Sequence, residues 1–353
     1  MPANAEHIGS SARAYELYCA DNGTVLLSHN SDKKLPMAST TKIMTTLLTL
    51  EEAAKENRVI TFTEDMIAEG SSMYLQVGEQ VTLRDLAIGM MMQSGNDAAN
   101  AAAISITGSI EAFADMMNAK AREIGMDDTH FVTPSGLDDE GHYSTAHDMA
   151  LLMAYALENE DFAEITAQTS MTVDFTEPPG KRVSYPNHNR LLQMYDGCIG
   201  GKTGYTDTAG RCLVSAAKRD GMTLIAVTLD DPDDWDDHMR LYDYGFDDFS
   251  AISVNIPDVS DVVGGVSDTV ALSADSDTVI VPKGRANDVK SRLYLPVFTY
   301  APVSEGDIAG KVTFTLDGEQ IGEITVSFAE SVDISRQKRS FITYIKDLFN
   351  WHS

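Results

Sequence analysis

The stretch Pro36-Met37-Ala38-Ser39-Thr40-Thr41-Lys42-Ile43-Met44 is the one around which the chain is organised. From Lys42 to Leu50 it reads as a buried helix, because Ile43, Met44, Leu47, Leu48 and Leu50 leave almost no polar face. Pro36 and the small residues before Ser39 suit a helix start, where backbone N–H groups lack partners of their own. Ser39 is therefore expected in the first turn, with Lys42 three residues on and on the same face. A serine is a poor nucleophile until a base takes its proton. A lysine buried beside other cations or apolar walls has a lowered pKa and suits that task. The helix N-terminus adds a positive dipole end, and the Ser39 N–H can stabilise an oxyanion.

Spacing alone carries little weight. By average residue usage a Ser-x-x-Lys pattern arises about once by chance in a chain this long, and Ser31-Asp32-Lys33-Lys34 is a second copy. That copy lies in a polar turn, where its lysines are expected to be solvated and fully charged. Only Ser39 has a buried helix behind it.

At 353 residues the chain is long enough for one large domain and a smaller one. Its formal charge of −28 argues against nucleic-acid binding, which wants a basic face. No run of about 18 apolar residues encodes a transmembrane helix. Met1-Pro2-Ala3-Asn4-Ala5-Glu6 has neither a basic nor an apolar leader region. The protein is thus either cytosolic or the product of a removed signal peptide. Cys19, Cys198 and Cys212 are too few for a disulfide scaffold and read as small buried hydrophobes. His130, His142 and His147 show no metal-ligand spacing, so no metal is expected.

Outward from Ser39, residues 13 to 28 alternate around Asp21-Asn22-Gly23-Thr24 as a hairpin. Thr82-Leu83-Arg84-Asp85 reads as a capping box ahead of a helix through Leu86, Ile88 and Met90 to Met92. That helix breaks at Gln93-Ser94-Gly95-Asn96-Asp97 and resumes at Ala98. A polar break between two apolar helices is costly unless its side chains find partners or do work. Further helices are expected from Ile110 to Gly125 and from about Met149 to Leu157, the second capped by Thr145. From Met171 to Leu229 the period changes to strands. The central hairpin carries Gly200-Gly201-Lys202-Thr203-Gly204-Tyr205, whose glycines let another backbone or a ligand come close. Lys-Thr-Gly is expected by chance in only about one chain in ten of this length. Beyond residue 250 come short strands with turn signals and nothing that suggests chemistry. In the tail, Phe341, Ile342, Tyr344, Ile345, Leu348, Phe349 and Trp351 share one helical face behind a basic cluster, the composition of an interfacial anchor.

Ser39-x-x-Lys42, Ser94-x-Asn96 and Lys202-Thr203-Gly204 occur in the order found in penicillin-binding proteins and β-lactamases. The longer stretches Gln93 to Ala99, His142 to Ala146 and Asp196 to Gly210 resemble the low-molecular-mass penicillin-binding proteins, the serine D-Ala-D-Ala carboxypeptidases. The resemblance spans roughly residues 13 to 250, and the β module and tail resemble that family's C-terminal end. It implies an α/β fold, an antiparallel sheet with flanking helices, over residues 10–250, a small all-β domain over 251–334 and an amphipathic tail over 335–353. It also implies roles. Ser39 would attack the carbonyl between the last two D-alanines of a peptidoglycan stem peptide. Lys42 would take its proton, and Ser94 would relay a proton to the leaving group. Asn96 would hold a substrate amide, Lys202 and Thr203 would meet the substrate carboxylate, and the Ser39 and Tyr205 N–H groups would form the oxyanion hole, with Gly204 beside them. β-Lactams would acylate Ser39. The chemistry needs no metal and no cofactor. The expected location is outside the cytoplasmic membrane, with the tail on its surface.

Two departures stand out. Gly200-Gly201 occupies a place where the family often has Gly-Ile or Gly-Leu, which is expected to loosen the strand. The loop in which several members carry a carboxylate-binding arginine here reads Asp230-Asp231-Pro232-Asp233-Asp234-Trp235-Asp236-Asp237, leaving Arg190, His188 and Arg211 as alternatives. A β-lactamase would need a deacylating Glu-x-x-x-Asn loop between Ser94 and Lys202, and none is present. A non-enzymatic antibiotic sensor would not need the full Ser, Lys, Ser, Asn, Lys, Thr set. An endopeptidase acting on crosslinks shares the same catalytic atoms.

Overall fold

Ala14–Cys19 (β1) and Thr24–His29 (β2) form the expected hairpin, with Gly23 at φ +72° in its turn. In this computed structural model residues 9–335 are described. The chain divides between Ser250 and Ala251 into two compact units.

The first unit is built on a five-stranded antiparallel sheet in the order β2-β1-β9-β8-β7, where β7 is Cys198–Thr206, β8 Gly210–Arg219 and β9 Met222–Leu229. Every residue of β1 and β9 is buried. A strand covered on both faces loses its alternation and reads as a continuous apolar run. The covering helices explain this. On one face Val214, Ala216, Ile225 and Val227 join the main core with α1 (Lys42–Lys55), α2 (Leu83–Gln93), α3 (Asn96–Thr107), α4 (Ile110–Ile124), α5 (Ala146–Leu157) and α6 (Glu160–Ala167). On the other face lies α8 (Asp234–Asp248), where Gly245 sits against Leu224 and Leu17 and where Ser215 bonds His238 and Tyr242.

α1 is buried from Lys42 through Leu50, as its composition requires. Each fully buried Leu or Ile there contributes roughly 1.5–3 kcal/mol. β3 (Val59–Thr61) pairs with β4 (Gln80–Thr82), and Thr82 then caps α2 reciprocally with Asp85. Ser109 and Thr145 cap α4 and α5. β5 (Ser170–Asp174) and β6 (Arg182–Pro186) form a separate ribbon, followed by the short α7 (Leu191–Met194).

Three features differ from the sequence reading. Ser39 lies in a 3-10 turn, Ala38–Thr41, and Lys42 is the first residue of the α-helix proper. α6 went unread because its eight residues carry too short an apolar stripe to stand out. The acidic stretch is not all loop: its second half, from Asp234, opens α8, where acidic side chains suit the helix N-terminus.

The second unit is all β. β11 (Val259–Val263), β12 (Thr269–Ala274), β14 (Lys290–Tyr294), β15 (Thr299–Tyr300), β16 (Ile308–Leu316) and β17 (Glu319–Phe328) form a sheet in the order β14-β16-β17-β12-β11-β15. β10 (Phe249–Ser253) pairs with β13 (Thr278–Pro282). Val270, Val281, Phe314 and Val326 are among the side chains of its own core. The expected amphipathic tail lies outside the described residues.

Candidate active site

Ser39 is half-buried on a tightly held turn. Ala38, just before it, has φ +48°, a left-handed conformation that costs a non-glycine residue energy. The turn persists because its surroundings hold it. Thr40 Oγ1 donates to Met37 O at 2.6 Å and Thr41 Oγ1 donates to Ala38 O at 2.8 Å. His142 Nδ1 accepts from Val132 N at 3.0 Å, so its Nε2 carries the hydrogen toward Thr41 Oγ1, 2.8 Å away. Burial pushes His142 down to about 4, which keeps it neutral in that role. Gly136 packs against the Ala38 carbonyl so closely that a Cβ there would overlap it.

Lys42 is buried, with Nζ 3.0 Å from Ser39 Oγ, 2.7 Å from Asn96 Oδ1 and 2.5 Å from the Ser135 carbonyl. Burial first, and then the charge of Lys202, hold its pKa well below that of an ordinary lysine; Asp97 acts in the opposite sense. Ser94 ends α2 in the left-handed region at φ 56° and accepts from Lys202 Nζ at 3.0 Å. Lys202 also donates to Thr203 O at 2.7 Å, and burial lowers it to about 7. Asn96 was expected to hold a substrate amide. Its Oδ1 instead receives Lys42 and its Nδ2 donates to Glu69 O at 2.7 Å, which leaves one N–H uncommitted.

β7 is the edge strand of the sheet and brings Thr203, Gly204 and Tyr205 alongside the Ser39 turn. A Cβ on Gly204 would stand 2.9 Å from Ser39 N and 3.1 Å from Met37 O, so glycine is what permits this backbone-to-backbone approach. Tyr205 is exposed at the rim. Ser39, Ser94, Thr203, His188 and Arg211 line a pocket of about 330 Å³. The structure thus gathers Ser39, Lys42, Ser94, Asn96, Lys202, Thr203, Gly204 and Tyr205 from α1, the α2–α3 junction and β7.

Two readings change with the geometry. Gly200 and Gly201 are sterically required in β7, whose pairing with β8 shifts register between Cys198 and Gly200: both have φ +152°, and a Cβ on Gly201 would stand 2.5 Å from Val214 O. Thr166 Oγ1 also accepts from Gly201 N at 2.9 Å, which fixes the outer edge of the strand. The acidic stretch is largely consumed by partners. Ser11 Oγ donates to Asp231, Ser10 Oγ donates to Asp237, Asp237 pairs with Arg240, and Arg211 Nη2 donates to Asp234 at 2.7 Å. Of the three candidates, His188 and Arg211 line the pocket, and Arg190 and Arg211 both lie over the ring of Trp235, which lines it too. Arg211 Nε is buried without a partner among the described residues.

Comparison with known proteins follows the same outline. Residues 2–233 match the D-alanyl-D-alanine carboxypeptidase family, and residues 258–333 match the C-terminal domain of penicillin-binding protein 5. The chain belongs to the D-alanyl-D-alanine carboxypeptidase family. It is 33% identical to the carboxypeptidase DacF of Bacillus subtilis, over 96% of this chain and 89% of that one. Penicillin-binding protein 5 from Haemophilus influenzae superposes with a TM-score of 0.78 at 29% identity, covering 94% of this chain and 99% of that one. The D-alanyl-D-alanine carboxypeptidase from Mycobacterium tuberculosis gives 0.63 at 35% identity, over 67% of this chain and 91% of that one.

Sequence reasoning passed over the Ser135 carbonyl, His142 and Asp97. His142 and Asp97 lay inside the quoted motif stretches, but nothing in their spacing signalled what they would touch.

Proposed function

We propose that this carboxypeptidase removes the terminal D-alanine of peptidoglycan stem peptides through an acyl-enzyme on Ser39, and that penicillins acylate the same oxygen. The observation that carries this is the environment of Lys42 Nζ. It meets two pure acceptors, Asn96 Oδ1 and the Ser135 carbonyl, and one hydroxyl, Ser39 Oγ. A neutral amine has two N–H donors and one lone pair. Two donors serve the two acceptors, and the lone pair remains for the Ser39 proton. Burial and the neighbouring Lys202 favour that neutral form.

Ser39 Oγ attacks the penultimate D-Ala carbonyl as Lys42 takes its proton, and the C–N bond to the terminal D-Ala breaks. The proton held by Lys42 goes to the leaving amine by way of the Ser94 hydroxyl, which lines the pocket and gives up its own proton as it receives that one, so Lys42 is neutral again. The N–H groups of Ser39 and Tyr205 receive the oxyanion. Beyond Gly201, where Thr166 holds it, the edge of β7 pairs with no further strand and suits an extended peptide. Lys202, Thr203 and Arg211 face the terminal carboxylate. Water, activated in turn by Lys42, then releases the shortened peptide. Such a substrate lies outside the cytoplasmic membrane, and the basic, amphipathic sequence after residue 335 would hold the protein at that surface.

The test is intact-mass spectrometry after incubation with benzylpenicillin. The expected result is one adduct on Ser39, none on Ser39→Ala, and acylation slowed by about 10²–10⁴-fold in Lys42→Ala. A folded native protein that gains no adduct, or an adduct that survives in Ser39→Ala, contradicts the assignment.

A further inference from the structure

Between β3 and β4 the chain runs through Glu69 to Leu75 without regular secondary structure, and Ser71 at its centre lines the active-site pocket. Met73 and Leu75 are nonetheless buried. Buried backbone N–H groups outside a ladder need another acceptor. Here that acceptor is a single carboxylate. Asp97, buried in the first turn of α3, accepts from Met73 N at 2.8 Å and Ala98 N at 2.9 Å through Oδ1, and from Ser72 Oγ at 2.7 Å and Leu75 N at 3.1 Å through Oδ2. Four donors fill the capacity of a carboxylate. The residue before it holds the same segment: Asn96 N donates to Ser71 O at 2.8 Å and Asn96 Nδ2 donates to Glu69 O at 2.7 Å.

The amide of Asn96 is therefore shared. One end is fixed by the Glu69 carbonyl and the other receives Lys42 Nζ at 2.7 Å. With the segment in place, the amide cannot turn without breaking a bond at each end. With the segment released, the Glu69 carbonyl is gone and nothing holds Oδ1 toward Lys42. We propose that Asp97 is a positioning residue whose carboxylate clasps the Ser72–Leu75 backbone, and so keeps Asn96 and, through it, Lys42 aligned on Ser39. This rests on Lys42 acting as the base for Ser39, and it adds to that reading the part that holds the base in register.

The test uses the full chain and benzylpenicillin. Asp97→Asn keeps the shape but replaces an acceptor by an amide donor facing backbone donors. Hydrogen exchange is expected to rise about a hundredfold at the Met73 and Leu75 amides, and acylation of Ser39 to slow about ten- to hundredfold. The acid limb of the acylation rate should also move to lower pH, which a loss of overall stability would not produce. Asp97 favours the Lys42 ammonium, whereas Lys202 from β7 opposes it and neutral His142 from the loop before α5 adds no charge. Ser72→Ala removes one donor and leaves the charge, so it should slow acylation about threefold with the acid limb unmoved. Native exchange at Met73 and Leu75 together with native acylation in Asp97→Asn overturns the proposal. If that variant exchanges throughout its core, Ser72→Ala decides, and native exchange in the segment with native acylation overturns it. Failure of the native protein to form an adduct would count against the Ser39 reading alone, because exchange reads the clasp separately.

Discussion

At the scale of single residues, two buried lysines set the chemistry, and Lys202 offers a direct reading of their cost. Burial lowers it from its usual 10.5 to about 7. Below pH 7 both folded and unfolded chains hold the proton, and the native state carries the whole desolvation penalty. Between 7 and 10.5 the unfolded chain keeps a proton that the native state has shed, so stability rises with pH across that window. Lys202→Met removes the charge while keeping much of the volume. It should melt above the native protein at pH 6, by about 3 °C or more, with the advantage shrinking toward pH 10. Acylation should fall by about 10²-fold or more, since the cation proposed to meet the substrate carboxylate is gone. Thermal melts at several pH values, beside penicillin acylation, check both. A melting difference independent of pH would mean that Lys202 keeps its proton in the native state up to its usual 10.5. The Ser39 turn makes the complementary point: Ala38 sits at φ +48° because Thr41 holds its carbonyl, His142 holds Thr41, and Gly136 packs against that carbonyl.

Among the elements, β7 is the most constrained. Its outer edge is held at Gly201 by Thr166 and pairs with no further strand, its inner edge pairs with β8, and Gly204 brings it against Ser39. The glycine pair ahead of Lys202 looked in sequence like a weakening of this strand. In the fold it is a requirement, since Gly201 stands at φ +152° with the Val214 carbonyl where a Cβ would be. Gly201→Ala should therefore destabilise the protein by about 2 kcal/mol and slow acylation. Denaturant unfolding measures the first effect, and an unchanged midpoint would show that the strand re-registers without cost. α2 teaches the opposite lesson. Its start was legible because the Thr82–Asp85 box is local, and its end at Ser94 was legible because a polar break between apolar helices stands out. α6 and α8 were not legible: one is short, and the other begins inside a run of aspartates that by itself reads as a solvated loop.

For the whole molecule, the chain divides between Ser250 and Ala251 into two units, each with a core of its own among the described residues. All the residues gathered around Ser39 belong to the first. The M. tuberculosis carboxypeptidase covers 67% of this chain and is itself covered over 91% of its solved chain. A chain ended at Ser250 is expected to unfold cooperatively and to be acylated by benzylpenicillin within about threefold of the full-length rate. An insoluble fragment, or one that folds but is not acylated, would assign the second unit a part in building the site. Despite the formal charge of −28, the carboxylate that lines the pocket, Asp234, is paired with Arg211.

By itself the sequence determined the buried helix behind Ser39, the caps of α2 and α5, the hairpin and meander of the sheet, the separate β module, and the order of the three motifs. All of these rest on local rules of periodicity, capping and turn chemistry that act within a few residues. Only the tertiary structure decided which groups surround Lys42, that Asp230, Asp234 and Asp237 of the acidic stretch each meet an arginine, that Gly201 is needed, and that Asp97 grips the segment from Ser72 to Leu75. The partners in those contacts are far apart in the chain, as Ser135 is from Lys42 and Asp97 from Met73. Their strength depends on burial, which no local pattern encodes. A lysine becomes a base only where the fold removes its water.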